Sequence, residues 1–286
     1  MTSLPFKTRV VEDVLNLDRL ESRLSDDARA FAAAHPFPHI VLDQFLEPDA
    51  CERLLAEAEQ PATDKNWLQY AHYNQLKQGI RDQKLMGPDT RAVLDALASP
   101  RFIAWLEKLS GIQGLLWDPE LDGGGLHKIE RGGFLNMHTD FLAHTTRTSW
   151  SRQINLLIYL NKDWKDEYGG ALELWDDTMT EKRASVAPVF NRCLIFHTRN
   201  PSYHGHPHPL TCPPNRARRS LALYYFREEG RRLQLSPTNY RAAPDDPIYK
   251  RVFIRIDKLL LNAYSALKRR GVLKDSFVSR ILGMLK

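Results

Sequence analysis

The sequence is poor in cysteine and has no long apolar run, and each shortage narrows what the protein can be. Cys51, Cys193 and Cys212 are the only cysteines in 286 residues. They form no CxxC pair and no even disulfide framework, as expected in a reducing compartment, and no chemistry is assigned to them. No segment approaches the roughly 20 apolar residues that a bilayer-spanning helix needs. The opening "MTSLPFKTRVVEDVLNLDRL" carries charges where a secretory leader would be apolar. The expectation is a soluble, cytoplasmic protein without repeats or low-complexity segments.

A 43% hydrophobic content over this length is enough for a substantial core, so one large domain with appendages is expected rather than two equal ones. The net charge of +5 is unevenly spread. Residues 247–286 hold ten Lys or Arg against two Asp, which leaves the rest of the chain slightly acidic. "HIVLDQFL" (39–46) reads as a strand and "EPDACERLLAEAE" as a helix capped near Asp49. "DTRAVLDALA" and "PRFIAWLEKLSG" add two more helices. "NWLQYAHYNQLKQG" (66–79) has two readings, a helix packing Trp67, Tyr70 and Tyr73 into a core or an overhang at the mouth of a barrel.

After Gly111 the pattern changes to short β-rich runs: "LHKIE", "INLLIYLN", "ALELW", "RCLIFHT" and "SLALYYF". Gly, Pro, Asn and Asp separate them, the signature of an antiparallel sandwich or barrel. The expected organisation is a strand and helical scaffold over 1–110, a β core over 111–230 and a basic amphipathic extension over 231–286.

The core contains "GGFLNMHTDF", with His138 and Asp140 one residue apart. His-x-Asp on a strand or turn supplies two donors of a facial site, and a remote histidine completes the 2-His-1-carboxylate set that leaves one face of an iron ion open. The third donor comes from "PSYHGHPHPL". His204, where the chain leaves a β run, is preferred, although His206 and His208 leave a His-rich surface loop open. Downstream, "RARRSLALYYF" places Arg218 and Ser220 on one strand face, a cation and a hydroxyl for a carboxylate. Arg216 and Arg219 compete with Arg218 for that role.

Together, "FLNMHTDF", "NLLIYLNKDWKDEYGGALELW", "FNRCLIFHT", "SYHGHPHPL" and "RRSLALYYF" resemble the prolyl-4-hydroxylase-like branch of the iron(II) and 2-oxoglutarate dependent oxygenases over about residues 126–226. The resemblance implies an α+β fold, a double-stranded β-helix of the jelly-roll or cupin type with an N-terminal helical layer and a C-terminal helix. It puts His138, Asp140 and His204 on the iron ligands, Tyr159 and Arg218 on the distal carboxylate of 2-oxoglutarate with Ser220 beside them, and Arg152 and Asn155 on positions facing the cosubstrate or the substrate entrance. Trp164, Gly169 and Gly170 fall on structural positions. The chain departs from its relatives at His127 and Ile129, near where they often carry tyrosine, and at Tyr224, where they often carry tryptophan.

The implied cofactors are iron(II) and 2-oxoglutarate, with ascorbate as an accessory reductant, and the implied partners are dioxygen and a small-metabolite, sugar or prolyl or peptidyl substrate. Asp140 favours hydroxylation over halogenation, whereas desaturation and ring closure would use the same ligands. Two other readings remain, a non-catalytic barrel acting as a binding module and a cupin-like protein holding zinc or manganese. In the basic tail, Val252, Ile256, Leu259, Leu260, Ala263 and Leu267 share one helical face. Such a helix docks on its own domain or on a second subunit in a homodimer, or lies peripherally on the anionic inner face of a membrane. No nucleic-acid partner is expected, because no recognition motif accompanies the charge.

Overall fold

A computed structural model describes residues 11–60, 66–199, 201–234, 238–244, 246–254 and 256. Helices α1 (Leu17–Ser22) and α2 (Leu24–Ala33) precede strand β1 (His39–Leu42), and α3 (Pro48–Glu59) follows. The Asn16 side chain caps α1 by accepting from the Arg19 amide at 2.9 Å. The cap expected near Asp49 is displaced. Glu47 is the capping position of α3 and makes no side-chain bond, while Asp49 lies in the first turn, where its charge suits the positive end of the helix dipole.

Next comes the hairpin β2 (Leu68–His72) and β3 (Gln75–Ile80), and then α4 (Pro88–Ala98) and α5 (Pro100–Ser110). The helical reading of 66–79 is thus replaced by strands. Trp67 does reach the core, packed against its edge, but Tyr70 and Tyr73 stay largely exposed. The buried Glu57 holds α3 against α4 by accepting from the amides of Asp89 and Thr90, each at 2.7 Å, and from the Thr90 hydroxyl at 2.8 Å. One carboxylate therefore satisfies two of the unpaired donors that open α4.

The remaining strands are β4 (Leu115–Trp117), β5 (Gly125–Glu130), β6 (Phe134–Thr139), β7 (Trp150–Tyr159), β8 (Leu172–Trp175), β9 (Lys182–Val186), β10 (Arg192–His197), β11 (His204–His206), β12 (Ala217–Glu228) and β13 (Asn239–Tyr240). Among the described residues they form one sheet in the order β1-β10-β7-β12-β5-β3-β6-β11-β8-β9, with β2 on β3, β4 on β12 and β13 on β6. The sheet curls into a nearly closed barrel, the double-stranded β-helix expected from the sequence. Strands β1, β2 and β3, from the first hundred residues, are part of it. One edge of β3 pairs with β2, and its other edge meets β5 and then β6, with Gly79 opposite His127 and Leu76 opposite Phe134.

Period-two alternation divides the side chains. Ile154, Leu156 and Ile158 of β7, with Leu221, Leu223 and Tyr225 of β12, pack outward against Phe102, Trp105 and Leu106 of α5. The opposite face turns Asn155, Leu157 and Tyr159 inward, beside Arg218, Ser220 and Tyr224. A β-bulge interrupts this pairing. Tyr225 faces Ile154 but Phe226 faces Arg152, so Gln153 is the extra residue and Arg152 is returned to the interior.

No helix among the described residues is long and apolar enough to cross a membrane. Residues 248–254 are helical and bury Ile254, while Ile248, Tyr249, Val252 and Phe253 remain exposed. Most of the expected basic helix, including Leu259, Leu260, Ala263 and Leu267, lies outside the described residues.

Candidate metal centre

Strands β6 and β11 are hydrogen-bonded neighbours, and their register sets His138 directly opposite His204. Asp140 follows just past the end of β6 and turns back toward both. His138 Nε2 lies 3.6 Å from Asp140 Oδ1 and His204 Nε2 lies 3.7 Å from Oδ2. The three donor atoms all fall within 4.8 Å of one another, and no other group of three such residues that could hold a metal occurs among the described residues.

The imidazoles are oriented for a cation. His138 Nδ1 is 2.9 Å from the Asn136 carbonyl, and His204 Nδ1 is 2.9 Å from the Ser202 carbonyl. A carbonyl can only accept, so each Nδ1 carries the proton and each Nε2 turns its lone pair into the site. Burial holds His204 neutral, down to about 4, and the neighbouring His138 adds to the effect. Burial alone would raise Asp140, but Arg152, His204 and His138 outweigh it and hold the carboxyl well below the usual carboxylate range. The resulting set of one carboxylate and two imidazoles that present Nε2 to the site fits iron(II). Asn155 Nδ2 donates to Asp140 Oδ2 at 3.1 Å, and Arg152 Nη1 lies 3.4 Å from the same oxygen. Both residues reach the metal centre by orienting its carboxylate.

Arg152 is almost completely buried, at 1% exposure. Its guanidinium lies over the rings of Tyr224 (3.6 Å) and Phe141 (3.9 Å) and donates to the Asp122 carbonyl at 3.1 Å. Tyr224, a departure from the resembling family, thus covers this cation.

The deep end of the cavity settles which arginine faces inward. Arg218 is buried, its Nε donates to the Gly170 carbonyl at 2.7 Å, and its guanidinium lies 5.0 Å from the centre of the Tyr159 ring. No carboxylate among the described residues pairs with it. Arg216 instead donates to the Lys162 and Asp163 carbonyls at the surface, and Arg219 pairs with Glu59 at 2.9 Å. Gly170 makes the approach of Arg218 possible. Its φ is +76°, and a Cβ there would meet Arg218 Cδ at 2.9 Å and Leu210 Cδ2 at 2.7 Å. Trp164 behaves as the structural plug expected of it, donating to the Gly169 carbonyl at 2.9 Å beside Tyr168.

A cavity of about 290 Å³ joins the two ends, and Ser220, Leu157, Leu172, Ile129 and His127 line it. Among the described residues, the Tyr159 hydroxyl and both ring nitrogens of His206 are buried without hydrogen-bond partners. Unpaired buried polar atoms are costly in a folded protein, so this cavity is prepared for a polar guest. Sequence reasoning kept a surface loop open for His206 and gave it no role. The sign it overlooked is the alternation in "HGH", which puts His204 and His206 on the same face of β11. His208 is exposed, as a loop residue would be. Lys77, Tyr70 and Tyr240, the last 5.5 Å from the His138 ring, also line the cavity and were not singled out as ligands.

A family model of the 2OG-Fe(II) oxygenase superfamily matches residues 124–238, which hold all three clustered donors and Arg218. This segment belongs to the 2OG-Fe(II) oxygenase superfamily. The oxygenase barrel is similar to a Pseudomonas putida prolyl-4-hydroxylase at TM-score 0.53 and 16% identity, covering 71% of this chain and 99% of that one. It is similar to a Trichoplax adhaerens prolyl hydroxylase, solved with a hypoxia inducible factor peptide fragment, at TM-score 0.52 and 14% identity, covering 75% of this chain and 95% of that one. It is also similar to the α-ketoglutarate dependent epimerase SnoN from nogalamycin biosynthesis at TM-score 0.51 and 15% identity, covering 80% and 89%. At these identities the likeness is one of fold. Iron(II) and 2-oxoglutarate are the cofactors that go with the superfamily and with the donor set in the barrel.

Proposed function

We propose that the protein hydroxylates an unactivated C–H bond of a small-molecule or peptidyl substrate, with His138, Asp140 and His204 holding iron(II) and Arg218 with Tyr159 holding the distal carboxylate of 2-oxoglutarate. The observation that carries this reading is the pairing, in one cavity, of inward-facing imidazole lone pairs with a buried arginine that has no acid partner. A binding module has no need of the first, and a zinc or manganese cupin has no need of the second.

When bound, iron(II) and 2-oxoglutarate supply an oxidising centre that, with dioxygen, yields succinate, carbon dioxide and a hydroxylated C–H bond. The chain supplies position and exclusion. The Asn136 and Ser202 carbonyls fix the imidazole tautomers, and Asn155 and Arg152 hold the Asp140 carboxylate in place. Arg218 offers a planar fork suited to a carboxylate, and the unpaired Tyr159 hydroxyl offers one more donor. Ser220, its partner across the β7–β12 ladder, adds a hydroxyl to the same wall. Leu157, Leu172 and Ile129 keep water from the buried end.

The test is an anaerobic titration with iron(II) and 2-oxoglutarate, followed through the visible charge-transfer band of the chelate and then by succinate release on exposure to oxygen. Both signals are expected in the wild type and neither in His138→Ala. Full succinate release by His138→Ala would overturn the ligand assignment.

A further inference from the structure

The barrel holds a cation that neither the metal nor the cosubstrate uses. Lys77 lies on β3, in the row Gln75, Lys77 and Gly79 that lines the cavity. One edge of β3 runs along both β5 and β6, and this row lines the same cavity as the metal ligands. No carboxylate among the described residues pairs with Lys77, whose ammonium has the Tyr70 ring 5.8 Å away. A second acid does line the cavity. Asp122, however, accepts from the Thr145 amide at 2.9 Å and sits 3.8 Å from both Arg81 and His144.

A charge count of the loaded site shows what is missing. Iron(II) is balanced by Asp140 and one cosubstrate carboxylate, and Arg218 by the other carboxylate. Arg152 and Lys77 remain. Arg152 already has Asp140 at 3.4 Å and donates to the Asp122 carbonyl between the Phe141 and Tyr224 rings, whereas Lys77 has no acid at ion-pair distance among the described residues. Burial pushes Lys77 down to about 8; Asp140 resists, while Arg218 and Arg152 reinforce the shift. A positive charge in a partly desolvated wall needs a counter-charge. There is also flat space beside it. At Gly79 a Cβ would stand 3.2 Å from Tyr70 and 3.3 Å from His127, so the missing side chain lets these two rings close over the strand next to Lys77.

We propose that the substrate carries a negatively charged group, a carboxylate or a phosphate monoester, which docks on Lys77 beside the metal. This deepens the oxygenase reading and rests on it, since Arg218 is already assigned to 2-oxoglutarate.

The experiment loads the full chain with manganese(II) and saturating 2-oxoglutarate. It then measures paramagnetic relaxation of three probes: the phosphorus nucleus of methyl phosphate, the methyl protons of acetate, and those of methanol as a neutral control. At least one anion is expected to relax faster in a saturable way while methanol does not, and the responding anion tells a phosphate from a carboxylate substrate. Lys77→Met is expected to weaken that binding by about tenfold, the loss of one charge-assisted contact. Its 2-oxoglutarate affinity should be unchanged, and Lys77→Arg should retain the anion. The proposal is overturned if neither anion responds, if Lys77→Met binds the anion as wild type does, or if Lys77→Met loses 2-oxoglutarate instead, which would place the lysine in the cosubstrate pocket. A wild type that binds no 2-oxoglutarate at all would overturn the oxygenase reading itself.

Discussion

Replacing Arg218 with methionine separates cosubstrate binding from metal binding. The guanidinium is 4% exposed and already spends Nε on the Gly170 carbonyl, so the rest of its fork is available to a carboxylate. Two charge-assisted hydrogen bonds in a water-poor pocket contribute at least about 3 kcal/mol. Their loss raises the dissociation constant of 2-oxoglutarate by about two orders of magnitude. Arg218→Lys keeps the charge but not the fork and falls between, about tenfold weaker than wild type. Arg219→Met, which breaks only the surface pair with Glu59, serves as the control and leaves 2-oxoglutarate binding unchanged. The assay is the anaerobic chelate-band titration, with manganese(II) affinity measured separately by electron paramagnetic resonance and expected to be constant throughout. An Arg218→Met protein binding 2-oxoglutarate within about threefold of wild type, under 1 kcal/mol, would refute the assignment of the deep pocket.

Other outcomes follow from the same geometry. Tyr159→Phe removes a buried hydroxyl that stands beside Arg218, so it should weaken 2-oxoglutarate about fivefold in the same titration; an unchanged affinity would show that the hydroxyl does not reach the cosubstrate. Gly170→Ala strains a left-handed position and presses on Arg218 and Leu210, and should lose both stability and 2-oxoglutarate affinity, as urea unfolding and the same titration would show. Glu57→Ala strips the donors at the start of α4 of their acceptor and should cost about 2 kcal/mol in urea unfolding, whereas a loss under 0.5 kcal/mol would mean that water substitutes for the carboxylate. Burial pushes the Cys51 thiol up to about 12 and Cys193 well above its ordinary value, so a thiol reagent at neutral pH should label neither until the protein unfolds, and prompt native labelling would contradict this packing.

The parts of the site that could be read from the sequence are those that local spacing encodes. His138 and Asp140 are separated by a single residue, Arg218 and Ser220 share a strand face by period two, and the order of the β runs matched a known family. Which arginine faced inward was not local information, because three arginines within four residues differ only in which wall of the barrel each meets. Lys77 could not be seen for the same reason. Its contribution depends on a hairpin pairing with two strands some fifty residues downstream, a long-range pairing with no trace in the sequence of "NQLKQG". His206 was left between strand and loop because a histidine-rich stretch is polar by composition, although its alternation follows a strand.

The pairing of β3 with both β5 and β6 also bears on how the protein can be divided. The segment that carries the superfamily signature begins at residue 124, after the hairpin. Expressed alone, it would keep the three metal donors and Arg218 but strip one edge of β5 and of β6 of its partner strand, ready to pair with another chain. The oxygenase barrel is therefore not a portable cassette, and trimming this chain to its recognisable core should yield aggregates rather than a smaller enzyme.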